Sequence, residues 1–317
     1  MRVLLIAPRF YDYDKQIKEE IEKQGNDVDL YCEYKEKYFI FTRFIPKSWK
    51  VKRNLAIQKK ILKQTENTKY DIVLIIVGRF ICEEFIKELK QQQTKACFVL
   101  YLWDNVDRCE SFVYINKYFN KIYSFDRNDC STKNFAFLPL FYTNDFNFRP
   151  EIDKTISVYG AFFAHSDRIS IVQKVAEQIQ NGYFFFYFAS KIQLLKYKFL
   201  TKKTDSTYQI HVKNFSMSKK ENILNMQRAK CVLDIQHPTQ NGLKIRTIEA
   251  IGCQNKLITT NTDIVNYDFY NKNNIIVIDR KNPIIPREFI DSDYVPLSQD
   301  IYEKYSIKSF VRNLLSL

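Results

Sequence analysis

Short apolar runs recur along the chain, and most are followed by a stretch with helical spacing. In the first part they are Arg2–Ala7, Val28–Tyr31, Tyr70–Val77, Ala96–Trp103, Lys121–Ser124 and Phe137–Leu140. In the second they are Thr155–Tyr159, Tyr183–Phe188, Tyr208–Val212, Lys230–Ile235, Lys256–Thr260 and Asn274–Ile278. Runs that are apolar throughout, rather than alternating, predict parallel strands covered on both faces. Helices are predicted between them at Lys15–Gln24, closed by Gly25, at Glu83–Gln92, from about Arg168 to Gln180, and at Lys191–Phe199 and Ser218–Arg228. The tail Ile301–Leu315 carries Tyr305, Phe310 and Leu314 at helical spacing. The polar segment Phe141–Lys154, which contains Pro150, separates the two sets of strand–helix units and reads as a linker.

Length agrees with this division, because 317 residues are long for one core and natural for two. The expected domains are 1–148, 149–298 and a terminal helix, 299–317. With 6 glycines and 8 prolines the composition excludes disordered and fibrous classes. The seven cysteines are scattered without a C-x-x-C, which points to reduced thiols in a cytoplasmic protein. The opening MRVLLIAPRF is too short an apolar run for a secretion signal and reads as a first strand, and no run is long enough to span a membrane.

Net charge is +13, which favours a polyanionic partner: phosphorylated substrate, anionic membrane surface or nucleic acid. From Phe41 to Gln64 the basic residues Arg43, Lys47, Lys50, Lys52, Arg53, Lys59, Lys60 and Lys63 occur without an acidic one, interleaved with Phe44, Ile45, Trp49 and Val51. Such a stretch either docks on anionic headgroups or an acceptor, or is the solvated face of a helix. Nucleic acid is disfavoured as a partner, since no known module pattern is present.

The most informative stretch is Ala229–Asn261. It reads as a strand, a polar loop broken by Pro238 and Gly242, a helix beginning near Gly242 and ending near Gly252, and a second strand. Leu243, Ile245, Ile248 and Ile251 would pack on the sheet, while Arg246 and Glu249, three apart, would project together on another side. A helix starting at the carboxyl end of a parallel strand offers N–H groups and a positive dipole end to a phosphate. An ordinary helical Arg–Glu pair is the alternative.

These residues resemble the C-terminal half of GT-B glycosyltransferases that use nucleotide-sugar donors. Many retaining members carry E-x7-E; Glu249 matches its second position and Asn241 stands at the first. Arg246-Thr-Ile-Glu249-Ala-Ile-Gly252 is similar to the R-x-x-E and small-residue turn of CgeB-like transferases. The resemblance implies an α/β fold of two Rossmann-like domains in the GT-B architecture, with a C-terminal helix crossing back to the first domain. It also implies that Glu249 holds the donor ribose, that Lys244 and Arg246 lie near the diphosphate or sugar, and that Asn241 and Gly242 belong to the donor site. Gly160 and Arg168 fit the first turn of the donor domain, where a glycine after the strand lets the backbone near the diphosphate and a basic residue pairs with it.

In such relatives the strand corresponding to Ala96–Trp103 ends in a residue facing the sugar, which makes Asp104 the candidate acceptor-side base, with Asp107 or Asp126 as alternatives and a helix cap as the plain reading. His237, in the loop after a donor-domain strand, either touches the leaving group or is structural.

No histidine or carboxylate cluster has metal-ligand spacing, and no G-x-G-x-x-G, P-loop or nucleophile-elbow motif is present. What remains is electrostatic stabilisation of a leaving diphosphate by basic groups and helix N-termini. The sequence reading is therefore a metal-independent, cofactor-free transferase, cytoplasmic or peripheral at the inner face of a membrane. It would move a sugar from a nucleotide-sugar donor to a surface-glycan acceptor: lipopolysaccharide, capsule or a lipid-linked saccharide. A nucleic-acid-binding protein and a non-transferring relative such as a nucleotide-sugar epimerase are the alternatives.

Overall fold

The computed structural model describes residues 1–34, 47–109, 111–164, 167–200, 209–236 and 242–316. The chain divides into two compact units, Met1–Leu140 with Ile307–Leu317, and Phe141–Ser306.

The first unit is built on a parallel sheet of β1 (Arg2–Ile6), β2 (Asp27–Tyr31), β3 (Ile72–Ile76), β4 (Cys97–Leu102), β5 (Lys121–Ser124) and β6 (Ala136–Phe137), in the order β2-β1-β3-β4-β5-β6. Every pairing is parallel, so both faces need covering, and the unbroken apolar composition of β1, β3 and β4 follows from that. Helices α1 (Tyr13–Lys23), α2 (Lys47–Thr65), α3 (Glu83–Gln92), α4 (Phe112–Ile115) and α5 (Arg127–Lys133) connect the strands. On one face Leu4, Ile6, Val73, Ile75, Phe98 and Leu100 pack against Ile61 and Leu62 of α2, Phe85, Ile86 and Leu89 of α3, and Phe112 and Ile115 of α4.

Helix α2 carries the basic stretch from Lys47 onward. Asn54, Gln58, Ile61, Leu62 and Thr65 recur at helical spacing and are buried, so the apolar side of this helix is committed to the core. Lys52, Lys59, Lys60 and Lys63 are exposed on its other side, and Arg53 is half-buried. Lys47 and Lys50 lie on the helix, while Arg43, Phe44 and Ile45 fall outside the described residues.

The second unit repeats the plan with β7 (Ile156–Phe163), β8 (Gly182–Tyr187), β9 (Gln209–Lys213), β10 (Ala229–Asp234), β11 (Lys256–Thr259) and β12 (Ile275–Val277), all parallel, in the order β12-β11-β10-β7-β8-β9. Its helices are α6 (Arg168–Ala176), α7 (Lys191–Leu200), α8 (Lys219–Gln227), α9 (Ile245–Gly252), α10 (Arg287–Asp291) and α11 (Gln299–Lys304). The chain winds outward from β7 to β9, then returns to β10 beside β7 and winds the other way. This reversal is the switch point at which parallel sheets open a crevice for ligands.

The tail is two helices rather than one. After α11 the chain turns at Tyr305 and Ser306, where Tyr142 N–H donates to the Tyr305 carbonyl at 2.8 Å, and only then enters α12 (Ile307–Leu315). Helix α12 belongs to the first unit: Phe310 meets Tyr101 edge-on with ring centres 4.8 Å apart, and the Tyr123 hydroxyl donates to the Asn313 carbonyl at 3.0 Å. Residues 141–148 and 299–306, expected in the first domain and in the terminal helix, stay with the second unit. They pack together on the end of α9, where the Tyr302 hydroxyl donates to the Gly252 carbonyl at 2.7 Å and the Tyr142 hydroxyl to the Tyr302 carbonyl at 3.0 Å.

Gly252 makes that packing possible. A Cβ there would stand 2.6 Å from Cγ of Tyr142 and 2.7 Å from the Phe146 carbonyl oxygen, so the last turn of α9 is helix with no room for a side chain. Gly252→Ala should destabilise the protein by about 1–3 kcal/mol through overpacking, despite the better helix propensity of alanine. Thermal melting checks this, and an unchanged or raised Tm would show that Tyr142 and Phe146 move aside freely.

Candidate anion-binding site at the carboxyl ends of the second sheet

The site begins with Asp234, the last residue of β10, which is 1% exposed. A buried carboxylate needs cations and donors, and the sequence supplies them from three directions. The Thr247 hydroxyl, in the first turn of α9, donates to Asp234 Oδ2 at 3.2 Å. Lys244, which caps α9 from an extended backbone, places its Nζ 3.7 Å from Asp234 Oδ1 and donates to the Ile235 carbonyl at 2.8 Å. Arg168, the first residue of α6, donates from Nε to the same carbonyl at 3.1 Å.

Arg280, beyond β12, completes the group. Its guanidinium forks onto Asp167 through Nε–Oδ2 and Nη2–Oδ1 contacts of 2.7 Å each, and Nη1 donates to the Gln236 carbonyl at 3.0 Å and to the Thr260 hydroxyl at 3.3 Å. Arg246 lies over the Phe162 ring, 5.7 Å from its centre. Arg168, Lys244, Arg246 and Arg280 are thus gathered around the strand ends of β7, β10, β11 and β12.

Burial and mutual repulsion show in the titration of Lys244 and Arg168. Burial pushes the Lys244 ammonium down to about 8; Asp234 opposes that shift, and Arg168, Arg246 and Arg280 add to it. Burial likewise lowers the Arg168 guanidinium, with Asp234 opposing and Arg246 and Arg280 reinforcing. An oxyanion entering this cluster relieves the repulsion and restores the lysine's proton affinity. That is the chemistry by which a basic cluster can take a phosphate or diphosphate.

Helix α9 is less two-faced than its sequence predicts. Thr247 to Gly252 are all buried, because the sheet covers one side and Tyr142 and Phe146 the other, while Ile245 is only half-buried. Glu249 is 5% exposed rather than projecting into solvent, and Arg246 is half-buried. Both are close enough to act on the Tyr159 hydroxyl, which burial pushes well above the ordinary phenol range and which donates to Asn222 Oδ1 at 2.7 Å. The helix begins at Ile245, three residues after Gly242, which is itself buried. Gly160 is not at a turn: β7 runs on to Phe163, and a Cβ at 160 would come 2.5 Å from the Phe162 ring, so this glycine makes room for that ring. His237 and Asn241 lie outside the described residues.

The carboxylates of the first unit are distributed differently. Asp104, two residues beyond β4, is held by Arg79 Nη2 at 2.5 Å, and Arg79 follows β3 through Val77 and Gly78, both in the left-handed region (φ 69° and 66°). Asp126 is a helix cap, accepting from the Asn128 and Asp129 amides at 2.8 and 3.4 Å at the start of α5. Asp129 accepts from the Val106 amide at 2.8 Å, and Asp107 is exposed. Of the three aspartates considered as acceptor-side groups, Asp104 has the arginine partner, whereas Asp126 serves the backbone.

Sequence reasoning overlooked Arg280, Asp167, Asp234 and Arg79. Their shared signal is position, within a few residues of the carboxyl end of a parallel strand, the same criterion that singled out Asp104 and Arg168. Among the described residues no group of histidine, cysteine or carboxylate side chains is placed to hold a metal, and no helix is long and apolar enough to cross a membrane.

No protein-family model matches the chain, and no curated protein matches it. Solved structures do. AviGT4, a glycosyltransferase involved in avilamycin A biosynthesis, is 8% identical with a TM-score of 0.60 over 99% of this chain and 95% of its own. The trehalose-6-phosphate synthase OtsA is 9% identical with a TM-score of 0.61 over 100% of this chain and 98% of its own. The N-terminal domain of trehalose-6-phosphate phosphatase from Candida albicans is 12% identical with a TM-score of 0.54 over 98% and 92%. At such identities the likeness is one of fold, and the fold is established: an α/β protein of two Rossmann-like domains in the GT-B architecture.

Proposed function

We propose that this protein is a glycosyltransferase that binds a nucleotide-sugar donor in its second unit and transfers the sugar to a saccharide acceptor of a surface glycan, without a metal. The observation that carries the reading is the convergence of Arg168, Lys244, Arg246 and Arg280 at the switch point of the second sheet. Such a cluster takes the donor diphosphate and stabilises the charge that develops on it as the glycosidic bond breaks. Glu249, buried in the middle of α9, is the group assigned to the ribose hydroxyls, and Asp104 the base toward the acceptor hydroxyl. The acceptor is assigned as lipopolysaccharide, capsule or a lipid-linked saccharide, with the exposed lysines of α2 lending affinity for its phosphates or for an anionic surface.

Nucleoside diphosphate binding should weaken as pH rises above about 8, since Lys244 loses its proton there when free and is held protonated when the anion is bound. Calorimetric titration of uridine and guanosine diphosphates across pH 6.5–9.5 measures this, and Lys244→Arg should flatten the profile. Affinity that stays constant with pH in the unmodified protein removes Lys244 from the site.

Glu249→Gln should weaken nucleotide binding about ten- to hundredfold, corresponding to the roughly 1.5–3 kcal/mol carried by a charged hydrogen bond. Binding isotherms run beside melting curves separate this from a packing role, in which Tm falls and affinity does not. Turnover of the donor should survive EDTA largely intact; its abolition with rescue by manganese would overturn the metal-independent mechanism.

A further inference from the structure

Glu33, two residues beyond β2, is 1% exposed, and neither of its carboxylate oxygens has a hydrogen-bond partner among the described residues. The Phe80 amide faces it without reaching hydrogen-bond geometry. Its position is fixed by Gln58, which donates to the Glu33 carbonyl at 3.2 Å and to the Phe80 carbonyl at 2.8 Å while accepting from the Cys82 amide at 2.9 Å. The turn that follows β3 is therefore stitched to the chain that follows β2.

Arg79 sits in that turn. One of its terminal nitrogens holds Asp104 at 2.5 Å, while its Nε is buried with no hydrogen-bond partner among the described residues. Among the described residues, the titratable groups that face Glu33 are Arg79 and the thiols of Cys32, Cys82 and Cys109. Burial pushes all three thiols upward, Cys82 to about 11, so they stay neutral at physiological pH. Arg79 is the one cation in this set, and it lies within range of two carboxylates while bonded to one.

We infer that Glu33 is a positioning residue, a buried acid whose protonation decides how firmly Arg79 holds Asp104. With Glu33 neutral, Arg79 is committed to Asp104 and masks its charge. With Glu33 ionised, the guanidinium is drawn toward it through the spare Nε–H, and its hold on Asp104 loosens. Burial pushes the Glu33 carboxyl up to about 8 against the opposing pull of the Phe80 amide and Arg79, which places the change in the neutral to alkaline range. The consequence for catalysis rests on the reading of Asp104 as the acceptor-side base; the coupling itself does not.

Infrared difference spectroscopy of the full-length protein reads the protonated carboxyl directly. The wild type should show a carboxylic acid band that titrates away near pH 8 and is missing in Glu33→Gln. Asp104→Asn releases Arg79 to Glu33 and should lower that midpoint by about one pH unit or more. In an Arg79→Gln background the midpoint should rise, and Asp104→Asn should no longer move it. Should Arg79→Gln not fold, Arg79→Lys serves instead, since it keeps the charge without the second donor and should reduce the Asp104→Asn shift.

Melting curves add a second readout with a defined sign. A carboxyl whose folded pKa is raised stabilises the fold fully below its unfolded value, near 4.5, and that contribution is lost as pH rises through 8. Wild-type Tm should therefore fall relative to Glu33→Gln between pH 5 and 8. An ionised Glu33 at pH 6, or an Asp104→Asn shift of the same size without Arg79, overturns the relay. Once transfer is measured, kcat/KM should gain a rise near pH 8 that Glu33→Gln abolishes, and an absent rise with intact spectroscopic coupling would place the error in the role of Asp104 alone.

Discussion

Burial of cations at one strand end, reinforced by their mutual repulsion, is the constraint on which the second unit's site depends. Asp234 is buried at the end of β10, and the carbonyls of Ile235 and Gln236 follow it, so the strand end presents a fixed patch of negative potential. Lys244, Arg168 and Arg280 are anchored to that patch from three separate loops. Each anchor is locally satisfied, yet burial lowers the proton affinity of Lys244 and Arg168, and the neighbouring cations lower it further. A site of this kind is preorganised for an anion, because the cost of assembling the charges is met by folding rather than at the moment of binding.

The backbone around the site explains why these loops hold their places. Helix α9 is short, eight residues, and its last turn is clamped by Tyr142, Phe146 and Tyr302 against a glycine that leaves no gap. Its first turn is fixed by Thr247 on Asp234. The helix is pinned at both ends, so Lys244 at its start and Glu249 in its middle are placed by packing rather than by loop chemistry. Arg280 closes the group from the far side by forking onto Asp167, the residue before α6. The loops after β7, β10 and β12 are thereby tied to one another.

The first unit solves a related problem with the signs reversed. There the strand ends carry carboxylates, and one arginine, Arg79, is shared by the turns that follow β3 and β4. Asp126 and Asp129 accept from backbone amides, whereas Asp104 accepts from the Arg79 guanidinium. Glu33 below it is the unusual element, since buried carboxylates are ordinarily paired.

The sequence by itself determined the sheets. Strands that are apolar throughout are legible because both faces of a parallel sheet are buried, and their spacing set the two-unit plan and the sites at strand ends, including Asp104, Arg168 and the Lys244–Arg246 pair. Tertiary structure alone decided the rest. Residues 47–65 of the basic stretch form a helix that buries Ile61 and Leu62 on one side and leaves Lys52, Lys59, Lys60 and Lys63 exposed on the other. Gly160 and Gly252 proved to be packing glycines, a property that depends on the rings of Phe162 and Tyr142 and not on local sequence. Arg280, 36 residues from Lys244 along the chain, joined the cation cluster only because β12 lies beside β11, and the proton affinities of Lys244 and Glu33 are set by burial, which no local pattern of residues records.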